Sequence, residues 1–355
     1  MKIRVAMLDN DKIYLERIVS VFTAKFSDKI EVHSFTDENL AYENLASNKF
    51  DVFIANSTYE VNMSKVPNRC GFAYFVESFE IESFKDARTI CKFQKAELIY
   101  KEILGVYSEK AAAFTNIRFF GDSDSKIYTF TSPAGGTGSS TAAAAFAKNL
   151  AGKGYKVLYL NLEMIASTDN FFKGEGQFTF SDVIFSLKSR KANMGLKLES
   201  YVMEDTSGVN FYAAPKITLD MLSVTDENVN DLISNIKLLC SYQYIVVDMG
   251  FSLNQRALDI YAESSKIVFV LDGTDVANKK MADVSESIEI LERQKEMAIL
   301  SRVSILYNRF SKKSGRTIEA GNLHVLGGIP KYENANCLQI AEQISKMDVF
   351  DKLID

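Results

Sequence analysis

Residues 128–141 read YTFTSPAGGTGSST and are followed by the alanine-rich stretch AAAAFA at 142–147. The β-branched and aromatic residues before the glycines predict a strand, and the alanines after them predict a helix. Gly135, Gly136 and Gly138 can adopt backbone angles that other residues resist, so successive N–H groups can turn inward at the start of that helix. The stretch therefore predicts a phosphate-binding loop. The alternative is a tight glycine turn that binds no ligand.

The sequence around this loop predicts an α/β domain over residues 126–355. Short apolar runs alternate with segments of helical spacing, which is the pattern of a doubly wound parallel sheet. The predicted strands are 126–131, 156–161, 209–213, 243–248, 266–271 and 302–307. The predicted helices are 139–151, 180–191, 226–241, 254–263, 278–297 and 336–353.

A smaller series of the same kind occupies residues 1–107 and predicts a second doubly wound parallel-sheet domain. Its predicted strands are 3–8, 30–35, 51–55, 72–76 and 89–91, and its predicted helices are 12–26, 37–48 and 94–106. Polar residues at 108–125, which include GDSDS at 121–125, predict a linker between the two domains.

Composition narrows the class of protein. A length of 355 residues with 47 % apolar residues suits two domains, and the net charge of −5 gives no strong nucleic-acid signal. The four cysteines are too far apart for a zinc or iron–sulfur site, which argues against a redox ATPase of the nitrogenase type. No run of about 18 apolar residues predicts a transmembrane segment. We expect a cytoplasmic protein, peripheral at a membrane only through a protein partner.

The glycine loop resembles the deviant Walker A motif of the MinD/ParA family, K-G-G-x-G-K-[ST]-[ST]. Ala134 and Ser139 stand where that family has its two lysines. The resemblance implies that the loop binds nucleotide phosphates and that Ser140 binds Mg²⁺. The implied nucleotide-binding residues of the loop are Gly135, Gly136, Thr137, Gly138, Ser139, Ser140 and Thr141.

Further motifs along residues 126–355 extend the resemblance. YIVVD at 244–248 resembles the Walker B strand, which implies that Asp248 approaches Mg²⁺. Asn161-Leu-Glu163 stands where the family reads D-x-D, the acids that orient the attacking water and approach the metal. With the Walker B acid, this position implies catalytic roles for Glu163 and Asp248. Asn308-Arg309 resembles the base-reading motif, and the loop that ends at Pro330 resembles the one that closes over adenine. Together these motifs imply ATP, or ADP, rather than GTP.

Loss of the lysines affects hydrolysis more than binding. One charge-assisted hydrogen bond contributes about 1.5–3 kcal/mol, whereas the backbone amides of the loop are all retained. Phosphoryl transfer depends almost wholly on positioning and charge stabilisation. We therefore predict a chain that binds ATP with weak or no turnover. Lys279 or Lys280 could still supply the missing charge.

Residues 1–107 resemble a response-regulator receiver domain, which has a flavodoxin-like fold. The positions that match its phosphorylation site are Asp9, Asn10, Asn56, Ser78 and Lys92. An amide is not a nucleophile, so Asn56 cannot accept a phosphoryl group, and one remaining acid is a poor magnesium site. The resemblance implies a pseudo-receiver used for interaction, and Asp11 is the alternative phosphoryl acceptor.

A receiver-like domain ahead of a MinD/ParA-type nucleotide domain resembles the CpaE-like proteins of Flp/Tad pilus assembly. In its domain order and motifs, this chain resembles that MinD/ParA-related group. The resemblance implies a positioning or assembly factor with nucleotide and protein partners, among them pilus-assembly or polar-localisation machinery, and a homodimer. Two alternatives remain open: an active ATPase that localises cargo or pilus machinery, and an interaction scaffold that binds no nucleotide.

Overall fold

The computed structural model describes residues 2–81, 83–110, 125–189, 193–239, 241–311, 315–318 and 323–354. The chain forms two compact units. The first comprises Met1–Gly121 and Ser186–Tyr201, and the second comprises Asp122–Phe185 and Val202–Asp355. Most of the predicted linker, residues 111–124, lies outside the described residues, whereas residues 108–110 continue a helix.

The first unit is built on a six-stranded sheet with the order β2-β1-β3-β4-β6-β5. Its strands are β1 (Ile3–Leu8), β2 (Ile30–Phe35), β3 (Val52–Asn56), β4 (Gly71–Val76), β5 (Ser83–Phe84) and β6 (Ala87–Cys91). The helices from this part of the chain are α1 (Lys12–Lys25), α2 (Glu38–Ser47) and α3 (Ala96–Lys110). The predicted parallel sheet is confirmed, and short β5 adds an antiparallel edge that was not predicted.

The second unit is built on an eight-stranded sheet with the order β14-β13-β12-β7-β11-β8-β10-β9. Its strands are β7 (Lys126–Thr131), β8 (Val157–Asn161), β9 (Met203–Glu204), β10 (Val209–Phe211), β11 (Tyr244–Asp248), β12 (Lys266–Leu271), β13 (Val303–Tyr307) and β14 (His324–Gly328). The helices along this part of the chain are α4 (Ser139–Gly152), α5 (Phe180–Ser189), α6 (Met194–Tyr201), α7 (Asp226–Leu239), α8 (Gln255–Glu263), α9 (Asp275–Lys295), α10 (Cys337–Ile344) and α11 (Asp351–Ile354).

The centre of this second sheet positions the glycine loop. β7 lies between β11 and β12, and the chain builds outward from it in both directions. In such sheets, ligands bind at the carboxyl ends of the strands where the winding reverses. Residues 142–145 and Ala147 of α4 are fully buried, and Phe146 of the same helix packs against Tyr128 and Phe130 of β7. The alanine-rich sequence thus lets α4 lie close to the sheet directly after the loop.

One helix from the C-terminal half of the sequence, α6, belongs to the first unit. It packs against α3, and both helices bury apolar side chains, with Ile99 and Ile103 on α3 and Leu196 and Leu198 on α6. Neither α6 nor the strands β9 and β14 were predicted from the sequence. The predicted closing helix 336–353 was wrong, because extended backbone at Met347 divides it into α10 and α11.

Candidate functional site

The glycine loop joins the end of β7 to the first turn of α4. Gly136 and Gly138 have φ angles of 76° and 85°, a region that favours glycine. A Cβ atom on Gly138 would lie 2.3 Å from Nδ2 of Asn308, closer than any real contact. Gly138 is therefore required both for its backbone conformation and for the close approach of Asn308.

Asn308 and Arg309 hold the loop from the end of β13. Asn308 donates from Nδ2 to the carbonyl oxygen of Thr137 at 2.8 Å, and Arg309 donates from Nη1 to the carbonyl oxygen of Gly136 at 2.9 Å. Arg309 also has a left-handed backbone, with φ 56°, which is uncommon for a residue other than glycine. Both side chains thus support the loop backbone.

Asp248 ends β11 and is fully buried. Strand register places it beside Asn161, the last residue of β8. Oδ2 of Asp248 accepts hydrogen bonds from the Tyr159 hydroxyl at 2.7 Å and from Nδ2 of Asn161 at 3.0 Å. Tyr159 was missed by the motif comparison. Its position two residues before Asn161 on one strand was the available signal, because alternate residues share a face.

Glu163 follows β8 and faces the first turn of α4. Its Oε2 atom accepts a hydrogen bond from Ser140 at 3.2 Å and another from Ser167 at 3.2 Å. The backbone N–H of Glu163 donates to Oδ1 of Asn161 at 2.9 Å, which orients the turn after the strand. The structure therefore brings Ser140, Glu163 and Asp248 to one place at the carboxyl edge of the sheet.

Burial controls the ionisation of Asp248. Removal from water, together with the nearby Glu163 carboxylate, raises the pKa of Asp248 to about 7, against the opposing effect of the Tyr159 and Ser140 hydroxyls. Burial and the Asp248 carboxyl also raise the pKa of Tyr159 well above its usual value, so its hydroxyl remains a donor. A cation near Asp248 would favour the ionised carboxylate.

Several buried polar atoms around the loop have no hydrogen-bond partner among the described residues. They are Oγ1 of Thr131, Oγ1 of Thr137, Oγ of Ser139 and Oδ1 of Asp248. Unsatisfied buried polar atoms are rare in folded proteins because each one loses its hydration. Their concentration at a helix N-terminus with glycine-rich backbone fits a site that takes an anion and a hard cation.

The donor set also bears on how Mg²⁺ would bind. Among the described residues, no group of three or more His, Cys, Asp or Glu side chains is arranged to hold a metal ion. Ser140, Glu163 and Asp248 offer oxygen atoms, which Mg²⁺ prefers, but too few to complete its coordination. The residues fit a cation that arrives with phosphate oxygens and water.

The positions of the two missing lysines, 134 and 139, differ in their surroundings. Ala134 is buried at the start of the loop, and Ser139 begins α4. Lys279 is exposed on α9, and its ammonium lies 2.6 Å from Asp283. Lys280 is exposed on the same helix. Arg309 is a basic residue that donates a hydrogen bond directly to the loop.

The remaining predicted nucleotide residues also lie at this edge. Thr141 is in the first turn of α4. Pro330 is exposed and follows β14, and the preceding N–H of Ile329 donates to the carbonyl oxygen of Tyr307. β14 pairs with β13, so Pro330 and Asn308 follow neighbouring parallel strands.

In the first unit, three of the predicted pseudo-site residues meet. Oδ2 of Asp9 lies 2.7 Å from Nζ of Lys92 and accepts a hydrogen bond from Nδ2 of Asn56 at 2.9 Å. All three residues are buried. The other two predicted residues do not join this cluster: Asn10 is exposed, and the Ser78 hydroxyl accepts from the N–H of Glu80.

The first unit matches a known domain family. Residues 1–108 match the family model described as "TadZ-like, receiver domain". The receiver resemblance predicted from the sequence is therefore confirmed.

Solved structures identify the fold of the second unit. A ParA family ATPase from Chlorobium tepidum TLS superimposes with a TM-score of 0.52 at 19 % identity, covering 65 % of this chain and 98 % of that chain. The septum site-determining protein MinD of Pyrococcus horikoshii OT3, complexed with Mg-ADP, gives a TM-score of 0.50 at 19 % identity, covering 64 % and 94 %. The P-loop fold of the MinD/ParA type is thus confirmed behind the TadZ-like receiver domain.

Two further findings concern curated relatives and membrane-spanning helices. None of the curated proteins matches the sequence. Within the part of the chain that the structure describes, no helix has the length and apolar character needed to cross a membrane.

Proposed function

We propose that the second unit binds Mg²⁺·ATP, or ADP, and hydrolyses ATP slowly or not at all. The observation that carries this proposal is the group of unpartnered buried polar atoms around the glycine loop, close to the Asp248 carboxyl. A relic loop without a ligand would gain stability from apolar residues at these positions, because each unpartnered group carries a desolvation penalty.

Each residue of the site has a distinct part in this proposal. The backbone N–H groups of residues 135–141 bind the phosphates, and Ser140 and Asp248 bind Mg²⁺. Asn308 and Arg309 fix the loop, as their hydrogen bonds to its carbonyl oxygens indicate. Pro330 follows the neighbouring strand and borders the base.

Slow turnover follows from the charges that the site lacks. Ala134 and Ser139 carry no positive charge toward the phosphates. Asn161 carries no negative charge, and its amide donates a hydrogen bond to the Asp248 carboxylate. Stabilising charge at the transferring phosphoryl group is the main source of catalysis in this reaction. Glu163 remains the candidate to orient water, although Ser140 and Ser167 both donate to it.

The domain order supports a role in positioning or assembly. A TadZ-like receiver domain precedes a MinD/ParA-type fold, so we propose a factor whose nucleotide state changes its binding to protein partners, including pilus-assembly or polar-localisation machinery. We further propose that it acts in the cytoplasm, as a homodimer, and reaches a membrane through a partner.

Calorimetric titration of the full chain with ATP, ADP and GTP in Mg²⁺ tests the proposal. We expect micromolar to submillimolar binding of ATP and ADP, weaker binding of GTP, and recovery of intact ATP after prolonged incubation. Asp259→Asn is the control for Asp248→Asn, because Asp259 lies on α8 and pairs with exposed polar side chains.

Two outcomes would contradict the proposal. Absence of nucleotide binding at millimolar concentration would favour the interaction scaffold. Steady phosphate release at ordinary ATPase rates, lost in Asp248→Asn and retained in Asp259→Asn, would establish the active ATPase instead.

A further inference from the structure

Three large apolar side chains are exposed at one edge of the receiver sheet. Ile13 lies in the first turn of α1 and is 64 % exposed, Phe79 follows β4 and is 59 % exposed, and Phe93 follows β6 and is 62 % exposed. β1, β4 and β6 are parallel members of one sheet, so the segments that follow them emerge at the same edge. We call these three residues the apolar rim.

The buried polar side chains at this edge, Asp9, Asn56 and Lys92, are paired with one another. The Asp9 carboxylate is neutralised by Lys92 and also accepts hydrogen bonds from Asn56 and from the N–H of Asp11. Lys92 in turn lies over the Tyr14 ring, 4.6 Å from its centroid. A phosphoryl group or a cation would have to displace a buried ion pair, which is strongly unfavourable.

The charges around the apolar rim are mostly negative. Asp11, Glu77 and Glu80 are exposed beside it. Of the basic residues in the same described segments, Lys92 is buried against Asp9, Lys12 is paired with Glu16, and Lys95 is exposed. An acidic edge repels the phosphates of nucleic acid and anionic lipid. A second copy of this edge, joined through a two-fold axis, would bring the same acids together.

We propose that the apolar rim is a docking site for a basic, amphipathic segment of a protein partner. Apolar side chains of that segment contact Ile13, Phe79 and Phe93, and its Lys or Arg residues pair with Asp11, Glu77 and Glu80. Aromatic anchors surrounded by complementary charge are typical of the residues that dominate protein interfaces.

The internal ion pair gives this surface a fixed shape. Lys92 is buried, bonded to Asp9, and lies 6.0 Å from the centroid of the Phe93 ring. The backbone before Phe93 is therefore anchored by the Lys92 side chain on Asp9 and by the Lys92 N–H, which donates to the carbonyl oxygen of Val76. Such an interface is constitutive, because no phosphorylation step is needed to form it.

Selection of short random peptides on the immobilised full chain, followed by fluorescence anisotropy, tests the proposal. We expect the selected peptides to combine Lys or Arg with Leu or Phe. Their affinity should fall at least about tenfold for the double variant Phe79→Ser and Phe93→Ser. Leu40→Ser is the matched control, because Leu40 is also an exposed apolar residue of the first unit, on α2.

A second variant keeps the test independent of folding. Glu77→Gln with Glu80→Gln should reduce the affinity a few-fold and weaken its dependence on salt. Selection of no peptide, selection of acidic peptides, or equal binding by the Phe79 and Phe93 double variant would each overturn the proposal. Dimerisation through these residues would do the same, because it would show that a second copy is the occupant.

Discussion

The receiver domain and the phosphate loop have each lost residues that their families use, but the losses left different chemistry behind. In the receiver domain, Lys92 and Asn56 satisfy the Asp9 carboxylate, so the site is closed by its own side chains. Around the loop, the hydroxyls of Thr137 and Ser139 and one oxygen of Asp248 have no partner among the described residues. A degenerate motif thus indicates a lost ligand only where the remaining polar groups are paired internally.

The largest effect is expected from opening the closed site. Lys92→Met removes the cation and leaves Asp9 buried without its partner, so unfolding free energy should fall by about 3–5 kcal/mol. Chemical denaturation of the full chain, with a signal that reports on unfolding of the first unit, measures this free energy. Lys25→Met is the control, because the Lys25–Glu97 pair is exposed and should contribute under about 1 kcal/mol. Equal losses of unfolding free energy in the two variants would show that the buried pair contributes no more than the exposed pair.

Blocking the open site should have the next largest effect. Gly138→Ala introduces a Cβ against Asn308 at a left-handed backbone position, and nucleotide affinity should fall about a hundredfold, equivalent to about 3 kcal/mol. Gly154→Ala is the matched control: it has the same φ of 85°, and its Cβ would meet no atom of the described residues within 4 Å. Unchanged nucleotide binding by Gly138→Ala would separate the loop from the nucleotide site.

Removing the buried charge of Asp248 should stabilise the nucleotide-free protein while weakening Mg²⁺-dependent binding. The pKa of this carboxyl is raised from 3.8 to about 7 on folding, so its contribution to stability is present below pH 4 and is lost as pH rises to 7. Asp248→Asn should therefore raise the unfolding free energy at pH 8 by about 2 kcal/mol, which raises the melting temperature by several degrees. Thermal melting between pH 4 and pH 8 measures the difference.

Asp205 provides the control of opposite sign. Burial raises the pKa of Asp205, but hydrogen bonds from Lys173 and Ser207 outweigh burial and lower the pKa overall. Asp205→Asn should therefore lower the melting temperature at pH 7, and the loss should shrink as pH falls below the pKa of a free carboxyl. A lower melting temperature in both variants at pH 8 would contradict the assignment of Asp248 as a destabilising group.

The smallest expected effect concerns Arg309. Arg309→Ala removes the hydrogen bond to Gly136, and ATP affinity should fall up to about tenfold. Arg309→Gly also relieves the left-handed backbone and should lose affinity to the same extent while keeping more stability. Titration calorimetry and melting separate the two quantities, and unchanged ATP affinity in both variants would limit Arg309 to a structural role.

Sequence patterns predicted the parts of the fold that repeat a strong local signal. Strands β1, β2, β7 and β12 lie at their predicted positions, because each is rich in β-branched, aromatic or other apolar residues. β5 and β9 have two residues each, and β14 contains two glycines, so none of them carries a strand pattern. Helix α6 has only eight residues, and its position depends on packing against α3, which no local pattern encodes.

The candidate site likewise has residues that the sequence motifs predicted and contacts that they did not. The motifs placed Ser140, Glu163 and Asp248 together because parallel strands end at one edge. They did not reveal that Tyr159 donates to Asp248, or that Asn308 contacts the loop backbone, because these contacts link residues 89 and 171 positions apart. Side-chain partners at such separation follow from the folded sheet rather than from any one segment.

The placement of α6 has a consequence for how the protein is made. The chain leaves the second unit after Phe185, contributes Ser186–Tyr201 to the first unit, and then returns. The apolar face of α3 therefore stays uncovered until α6, encoded far downstream, has been synthesised. During synthesis an N-terminal domain usually folds first. The first unit is complete only after Tyr201 has left the ribosome, when residues 122–185 of the second unit have already been translated.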